Sequence, residues 1–147
     1  MKRNLIFWFA AVAGAGLVAG CYTPPSVAAF AAAGAVELRS FQTRAFDTTD
    51  RDQTLRTVIA TLQDLGFVID RADAALGTVG GTKVAGYQVR MTVSVRPRGA
   101  KQLLVRASAQ YQQSPYAAPQ SVEEPAAYQA FFAALEKAMF LTAQQAD

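Results

Sequence analysis

The stretch YQVRMTVSVRPRGAKQLLVRASAQ, residues 87–110, decides the fold of this chain. Apolar and polar residues alternate without a break from Tyr87 to Arg96, which is the two-residue period of a strand with one buried and one wet face. Residues 97–101, PRGAK, are typical of a turn, and the alternation resumes at Leu103, with Val105, Ala107 and Ala109 inward. The pattern predicts an antiparallel β-hairpin.

Two segments with helical periodicity flank this hairpin. Thr48, Thr49 and Asp50 offer an N-cap to the first helix, and Gly66 is well placed to end it. The second helix follows a capping box at residues 121–124, with Pro125 in its first turn. The predicted apolar faces are Leu55, Val58, Ile59, Leu62 and Leu65 for the first helix, and Tyr128, Phe131, Phe132, Leu135 and Met139 for the second.

Three other segments are interpreted as extended. Residues 37–46 predict a strand with a bulge near Ser40, where two phases of alternation meet. Residues 67–70 and 76–79 are interpreted as short strands. The pattern does not decide whether one of these segments forms a strand or a turn. The predicted fold is therefore α+β, with an antiparallel sheet of about four strands, two helices packed on one face, and the order β-α-β-β-β-α.

The N-terminus has the pattern of a secretory leader. Lys2 and Arg3 precede an uncharged apolar run from Leu5 to Val18. This run is shorter than the roughly 18–20 residues that span a bilayer as a helix. Tyr22 to Ala35 is uncharged and begins with a Pro-containing stretch, which predicts a tether.

The run Leu17-Val18-Ala19-Gly20-Cys21 resembles the lipobox of bacterial lipoproteins. In that family the cysteine thiol receives a diacylglycerol, the leader is cleaved before it, and fatty acids such as palmitate anchor the protein stably. By the same analogy, Tyr22 rather than Asp after the cysteine favours the outer membrane of a Gram-negative bacterium. The resemblance implies a signal peptide at 1–20, a lipidated tether at 21–35 and one periplasmic domain at 36–147. The alternatives are an ordinary signal peptide with an incidental cysteine, or an uncleaved anchor.

Composition narrows the chemistry of the domain. The chain has no histidine and one cysteine, Cys21. These counts exclude Ser-His-Asp and Cys-His catalysis and His/Cys zinc sites. Removal of Lys2 and Arg3 lowers the net charge from +3 to +1, which with export argues against nucleic acid as a partner. We therefore expect no enzymatic activity, cofactor or metal. A carboxylate-based enzyme is the weaker alternative, because no two acidic groups are predicted to converge.

A second resemblance concerns the domain itself. The stretches RSFQTR at 39–44 and LQDLGFVID at 62–70 look like uncharacterised outer-membrane lipoproteins. The order of elements is similar to small periplasmic lipoprotein domains of the helix-grip type. This resemblance implies a fold and a compartment, and it carries no catalytic motif.

Basic side chains are concentrated on the hairpin. Arg90 and Arg96 are expected to point the same way from one strand, with Arg106 on the outer face of the paired strand. A surface of this kind binds anionic groups or an acidic partner. The alternative is a solvated sheet face with charges that protect its edges. The candidate partner-binding set is Arg90, Arg96, Arg98, Lys101 and Arg106.

Two aromatic residues complete the candidate site. Tyr111 and Tyr116 lie at and within the polar, Pro-containing segment 112–120, which is interpreted as a recognition loop or a plain connection. The predicted function is a lipid-anchored, non-catalytic binding or assembly accessory for another envelope component, a protein. The alternative is a small-ligand or lipid carrier with a cavity under the C-terminal helix, lined by Phe131, Phe132 and Met139.

Overall fold

The computed structural model describes the backbone of residues 34–145 and the side chains of residues 34–140. The predicted signal peptide, Cys21 and the tether up to residue 33 lie outside the described residues. Among the described elements, no helix combines the length and the apolar character needed to cross a membrane.

One antiparallel sheet organises the domain. Its strand order is β1-β5-β4-β3-β2, and β6 pairs with β5 beyond the end of β1. Along the chain the elements are α1 (residues 34–41), β1 (Thr43–Phe46), α2 (Arg51–Asp64), β2 (Val68–Asp73), β3 (Thr78–Val84), β4 (Gln88–Arg98), β5 (Gln102–Gln112), β6 (Gln120–Ser121) and α3 (Pro125–Gln145).

The predicted hairpin is the centre of this sheet. β4 and β5 pair in continuous register from Gln88 opposite Gln112 to Arg98 opposite Gln102. Gly99 lies in the turn with a φ of 64°, a left-handed conformation that glycine adopts without strain. The predicted alternation is confirmed where the inward residues are buried, from Met91 to Val95 and from Leu103 to Ala109, whereas Tyr87, also predicted inward, precedes β4 and is 51% exposed.

Helices α2 and α3 cover one face of the sheet and form the core with it. Asp50 caps α2 as predicted, its Oδ1 accepting a hydrogen bond from the backbone N–H of Gln53 at 2.9 Å. Gly66 follows α2 with a φ of 83°, as predicted for the residue that ends it. The helical core residues are Leu55, Val58, Leu62, Tyr128, Phe131, Phe132 and Leu135.

The predicted fold class is wrong in its number of elements. Within residues 34–145, the sheet has six strands rather than about four, and three helices rather than two accompany it. The first error is at residues 37–46, where the helix α1 replaces the first half of the predicted strand and only Thr43–Phe46 is extended. Leu38 and Phe41, read as opposite phases of a bulged strand, are three residues apart on one helical face and both pack against the core.

Two further differences come from small and polar residues. β3 is seven residues long, because Gly80 and Gly81 continue the strand that was predicted to stop before them. β6 was missed because it has only two residues, both polar. The predicted capping box is not formed, since Ser121 belongs to β6 and α3 begins at Pro125.

Candidate functional site

The face of the sheet away from α2 and α3, here called the open face, carries three of the predicted arginines. Arg90 and Arg96 project from β4 and are exposed. Arg106 is exposed on β5 opposite Ser94, two residues from Arg96 on the same side of the sheet. The structure therefore brings Arg90, Arg96 and Arg106 together on one surface.

The turn between β4 and β5 extends this surface. Arg98 ends β4 opposite Gln102, and Lys101 lies in the turn beside it. Both side chains are exposed. The five residues Arg90, Arg96, Arg98, Lys101 and Arg106 are called the basic set below.

Charge is strongly segregated along this part of the chain. Residues 74–122 contain six Lys or Arg residues and no Asp or Glu. Among the described residues the ion pairs are Arg44 with Glu136 and Arg71 with Asp73. No member of the basic set takes part in either pair or in a side-chain hydrogen bond within the described part of the chain.

The two predicted tyrosines do not join the basic set. Tyr111 lies on the helix side of the sheet, its ring edge-on to that of Tyr87 with centroids 6.5 Å apart. Its hydroxyl donates to Oε1 of Gln120 at the start of β6. Tyr116 is fully exposed in the loop between β5 and β6. The side chains of a strand alternate between its two faces, so Tyr111 lies on the same face as the buried Ala109, two residues before it.

A second concave surface lies on the opposite side of the sheet. This apolar groove has a volume of about 560 Å³ and runs between the start of α3 and the ends of β3, β4 and β5. Phe131 lines it as predicted, whereas Phe132 and Met139 are not among its lining residues. Its apolar lining is Leu65, Phe67, Ala85, Tyr87, Val89, Met91, Ala109, Tyr111, Val122, Ala127, Ala130 and Phe131.

Charged side chains occupy two walls of the groove. Lys83 Nζ donates to the backbone carbonyl of Leu65 at 2.8 Å and lies 5.9 Å from the centre of the Phe67 ring. Glu123 and Glu124 are exposed on the wall that precedes α3. The sequence signal for the groove is the pair Ala127 and Ala130, whose small side chains leave space above the sheet.

The aspartates near α2 have structural partners. Asp50 caps the helix, and Asp47 Oδ1 accepts from Nε2 of Gln102 at 2.6 Å. Within the described ranges, no group of three or more Asp, Glu, His or Cys side chains is placed to hold a metal ion.

Comparison with known proteins finds no family model that matches the chain and no curated protein that is significantly similar to it. The candidate site is accordingly defined by the shape and charge of two surfaces, the open face with the basic set and the apolar groove.

Proposed function

We propose that this protein is a lipid-anchored, non-catalytic binding domain at the periplasmic face of the outer membrane, and that its open face docks an acidic envelope protein. The lipobox at residues 17–21 supports the anchor and the compartment. One observation carries the docking function: the basic set is exposed, without an ion-pair partner among the described residues, in a segment free of acidic residues.

The dimensions of the open face suit a protein partner. Arg90 and Arg96 are six residues apart on one strand, a separation of about 20 Å. An interface of standard size covers about 800 Å² on each partner, roughly 28 Å across if square, so these two arginines span much of its length. Neutral Thr and Ser side chains lie between the arginines, so the surface combines hydrogen-bonding groups with charges that steer an acidic partner.

Charge reversal tests this proposal. The double variant Arg90→Glu and Arg96→Glu is compared with Arg56→Glu and Lys137→Glu, which reverse two exposed cations on the helices. The full-length lipidated protein is crosslinked in cells, captured, and its partner quantified by mass spectrometry. We expect about tenfold less partner with the open-face variant and little change with the control, because like charges across an interface repel.

Two results contradict the docking function. One is equal capture by the open-face variant and the wild type. The other is an equal loss in both double variants, which would show that net charge, and not the open face, governs capture. The thermal midpoint of each variant confirms that it is folded.

The apolar groove favours a second function, the carriage of a lipid. Its volume lies within the ~300–1,000 Å³ range of small-molecule sites, and its lining is apolar with a few polar groups at the walls, as in such sites. Native mass spectrometry of the full chain extracted from membranes should then show a bound lipid. Ala127→Trp, which fills the groove, should abolish this adduct, and Ala133→Trp, outside the groove on α3, should retain it. A wild-type protein without any adduct contradicts carriage.

A further inference from the structure

We infer that a small pocket between α1 and the open face receives one carboxylate side chain of the docked partner, and that Arg90 is its anion-binding residue. This inference rests on the proposed docking function and names the chemistry that anchors it. The pocket has a volume of about 190 Å³. It is lined chiefly by Leu38, Gln42, Arg90, Thr92, Ser108 and Gln110.

The floor of the pocket consists of two neighbouring rows of the hairpin. Arg90 lies opposite Gln110, and Thr92 lies opposite Ser108. These side chains project from the open face and are exposed. The floor thus offers a guanidinium, an amide and the hydroxyl of Thr92 within a patch two strands wide, while the hydroxyl of Ser108 donates to the backbone carbonyl of Thr92 at 3.4 Å.

Helix α1 forms the wall of the pocket, and Gln42 fixes its position. The carbonyl of Gln42 accepts from the backbone N–H of Ala107 at 2.8 Å, so the chain is held to the edge of β5. The Gln42 amide donates to the Tyr128 hydroxyl at 3.2 Å, and the residue is buried. Leu38 then presents an apolar surface beside the polar floor. The pocket is therefore formed before a partner arrives.

The charges around the pocket select an anion. Arg90 is the charged residue of its lining, and no carboxylate lines it. Asp70 is held on the other side of Arg90, where its carboxylate accepts from the hydroxyl of Thr82, the residue opposite Arg90 on β3. A carboxylate fits the planar fork of a guanidinium and accepts from hydroxyl and amide donors.

The small size of the pocket favours a single side chain of a partner protein over a larger small-molecule ligand. Its volume is below the ~300 Å³ at which small-molecule sites begin. A glutamate or aspartate of a partner protein fits the site, with its carboxylate at Arg90 and its methylene groups against Leu38.

The test fills the pocket without changing any charge. Ser108→Trp blocks the pocket, and Val84→Trp places the same bulk at the end of β3 on the open face, outside the pocket and the basic set. Capture from cells of the full-length lipidated protein should fall about tenfold with Ser108→Trp and much less with Val84→Trp, since the charge-assisted contact in the pocket is lost only in the first. Arg90→Gln should likewise lower capture more than Arg106→Gln.

A photo-crosslinker at Gln110 identifies the occupant. We expect crosslinked peptides of a partner protein with an aspartate or glutamate at or next to the linked residue. Crosslinks to lipid alone would overturn the inference. If the two tryptophan variants, and likewise the two glutamine variants, behave alike while Arg90→Glu with Arg96→Glu abolishes capture, the pocket is refuted and the docking function stands. If that double reversal changes nothing, the docking function itself fails.

Discussion

At the scale of single residues, Tyr128 joins three parts of the domain. Its hydroxyl accepts from the Gln42 amide and from the backbone N–H of Ala109, and it donates to the carbonyl of Val122 at 2.6 Å. The side chain is completely buried. One hydroxyl thus connects the residue that follows α1, β5 and the segment that leads into α3.

Removal of that hydroxyl should destabilise the whole domain. Tyr128→Phe leaves a buried amide and a buried backbone N–H without their acceptor, which costs about 1–3 kcal/mol in the free energy of unfolding. Urea denaturation measures the change. Tyr87→Phe is the matched control. The Tyr87 side chain is half-exposed and its ring lies edge-on to the ring of Tyr111, an arrangement that does not involve the hydroxyl. Equal stability of Tyr128→Phe and the wild type would contradict the role of the hydroxyl.

Gly77 stabilises the fold because it has no side chain. A Cβ atom at Gly77 would lie 2.6 Å from the Val95 carbonyl oxygen. The φ angle of Gly77 is 67°. Gly86 has a φ of 79° and open space around it. Gly86→Ala should cost about 1–2 kcal/mol from the left-handed backbone alone. Gly77→Ala should cost clearly more, measured by the same denaturation, and equal losses would show that the contact with Val95 has no effect.

At the scale of elements, the sequence correctly predicted the helices and strands in which several apolar residues recur with one regular period along one face. β4, β5 and α2 were placed correctly because each has several apolar residues in one unbroken period, from Met91 to Val95 in the first case. α1 was misread because its two core contacts, Leu38 and Phe41, lie in a short segment that could be interpreted as a strand only with a bulge near Ser40. Packing of these two side chains against the core favours the helix, and a local pattern does not contain that information.

The site was predictable to the same extent. The shared face of Arg90, Arg96 and Arg106 follows directly from strand parity and hairpin register. The sequence predicted a cavity under the C-terminal helix and, of its three predicted lining residues, placed Phe131 correctly. The pocket beside α1 depends on where that helix meets the sheet, which the sequence did not define. Tyr111 was assigned to the recognition surface although its parity places it on the helix side.

The N-cap of α2 gives a prediction for one element. Asp50→Ala removes the acceptor for the Gln53 N–H and should cost about 1 kcal/mol of stability. Asp52→Ala keeps the cap and removes only a charge in the first turn, which should cost about 0.3–1 kcal/mol. Thermal or urea unfolding compares the two variants. A larger loss for Asp52→Ala would contradict the assignment of Asp50 as the cap.

At the scale of the whole molecule, the proposed lipid anchor and the open face can be tested separately. Cys21→Ser should remove the proposed lipid, so that the protein leaves the membrane pellet after cell fractionation, because the thioether cannot form. Intact-mass analysis should show the loss of the acyl groups. Retention of the variant in the membrane pellet would contradict the lipid anchor without bearing on the open face.

The proposed complex between the open face and its partner should depend on salt. Exposed charges interact over about 10 Å at 0.1 M ionic strength and about 3 Å at 1 M. Partner capture through the basic set should therefore weaken steadily as salt rises over this range. Binding of a lipid in the apolar groove should be unaffected or strengthened, so a salt series separates the two proposed functions.

The most direct measurement of the docking function is a crosslinking map of both sides of the domain in living cells. A photo-crosslinker replaces Arg98 at the end of the open face, Ser94 within it, or Lys137 on α3, one position at a time. We predict that Arg98 and Ser94 give crosslinks to the same acidic envelope protein and that Lys137 does not. Crosslinks to that protein from Lys137 alone, or no protein crosslinks from the open face, would contradict the proposal that the open face is the docking surface.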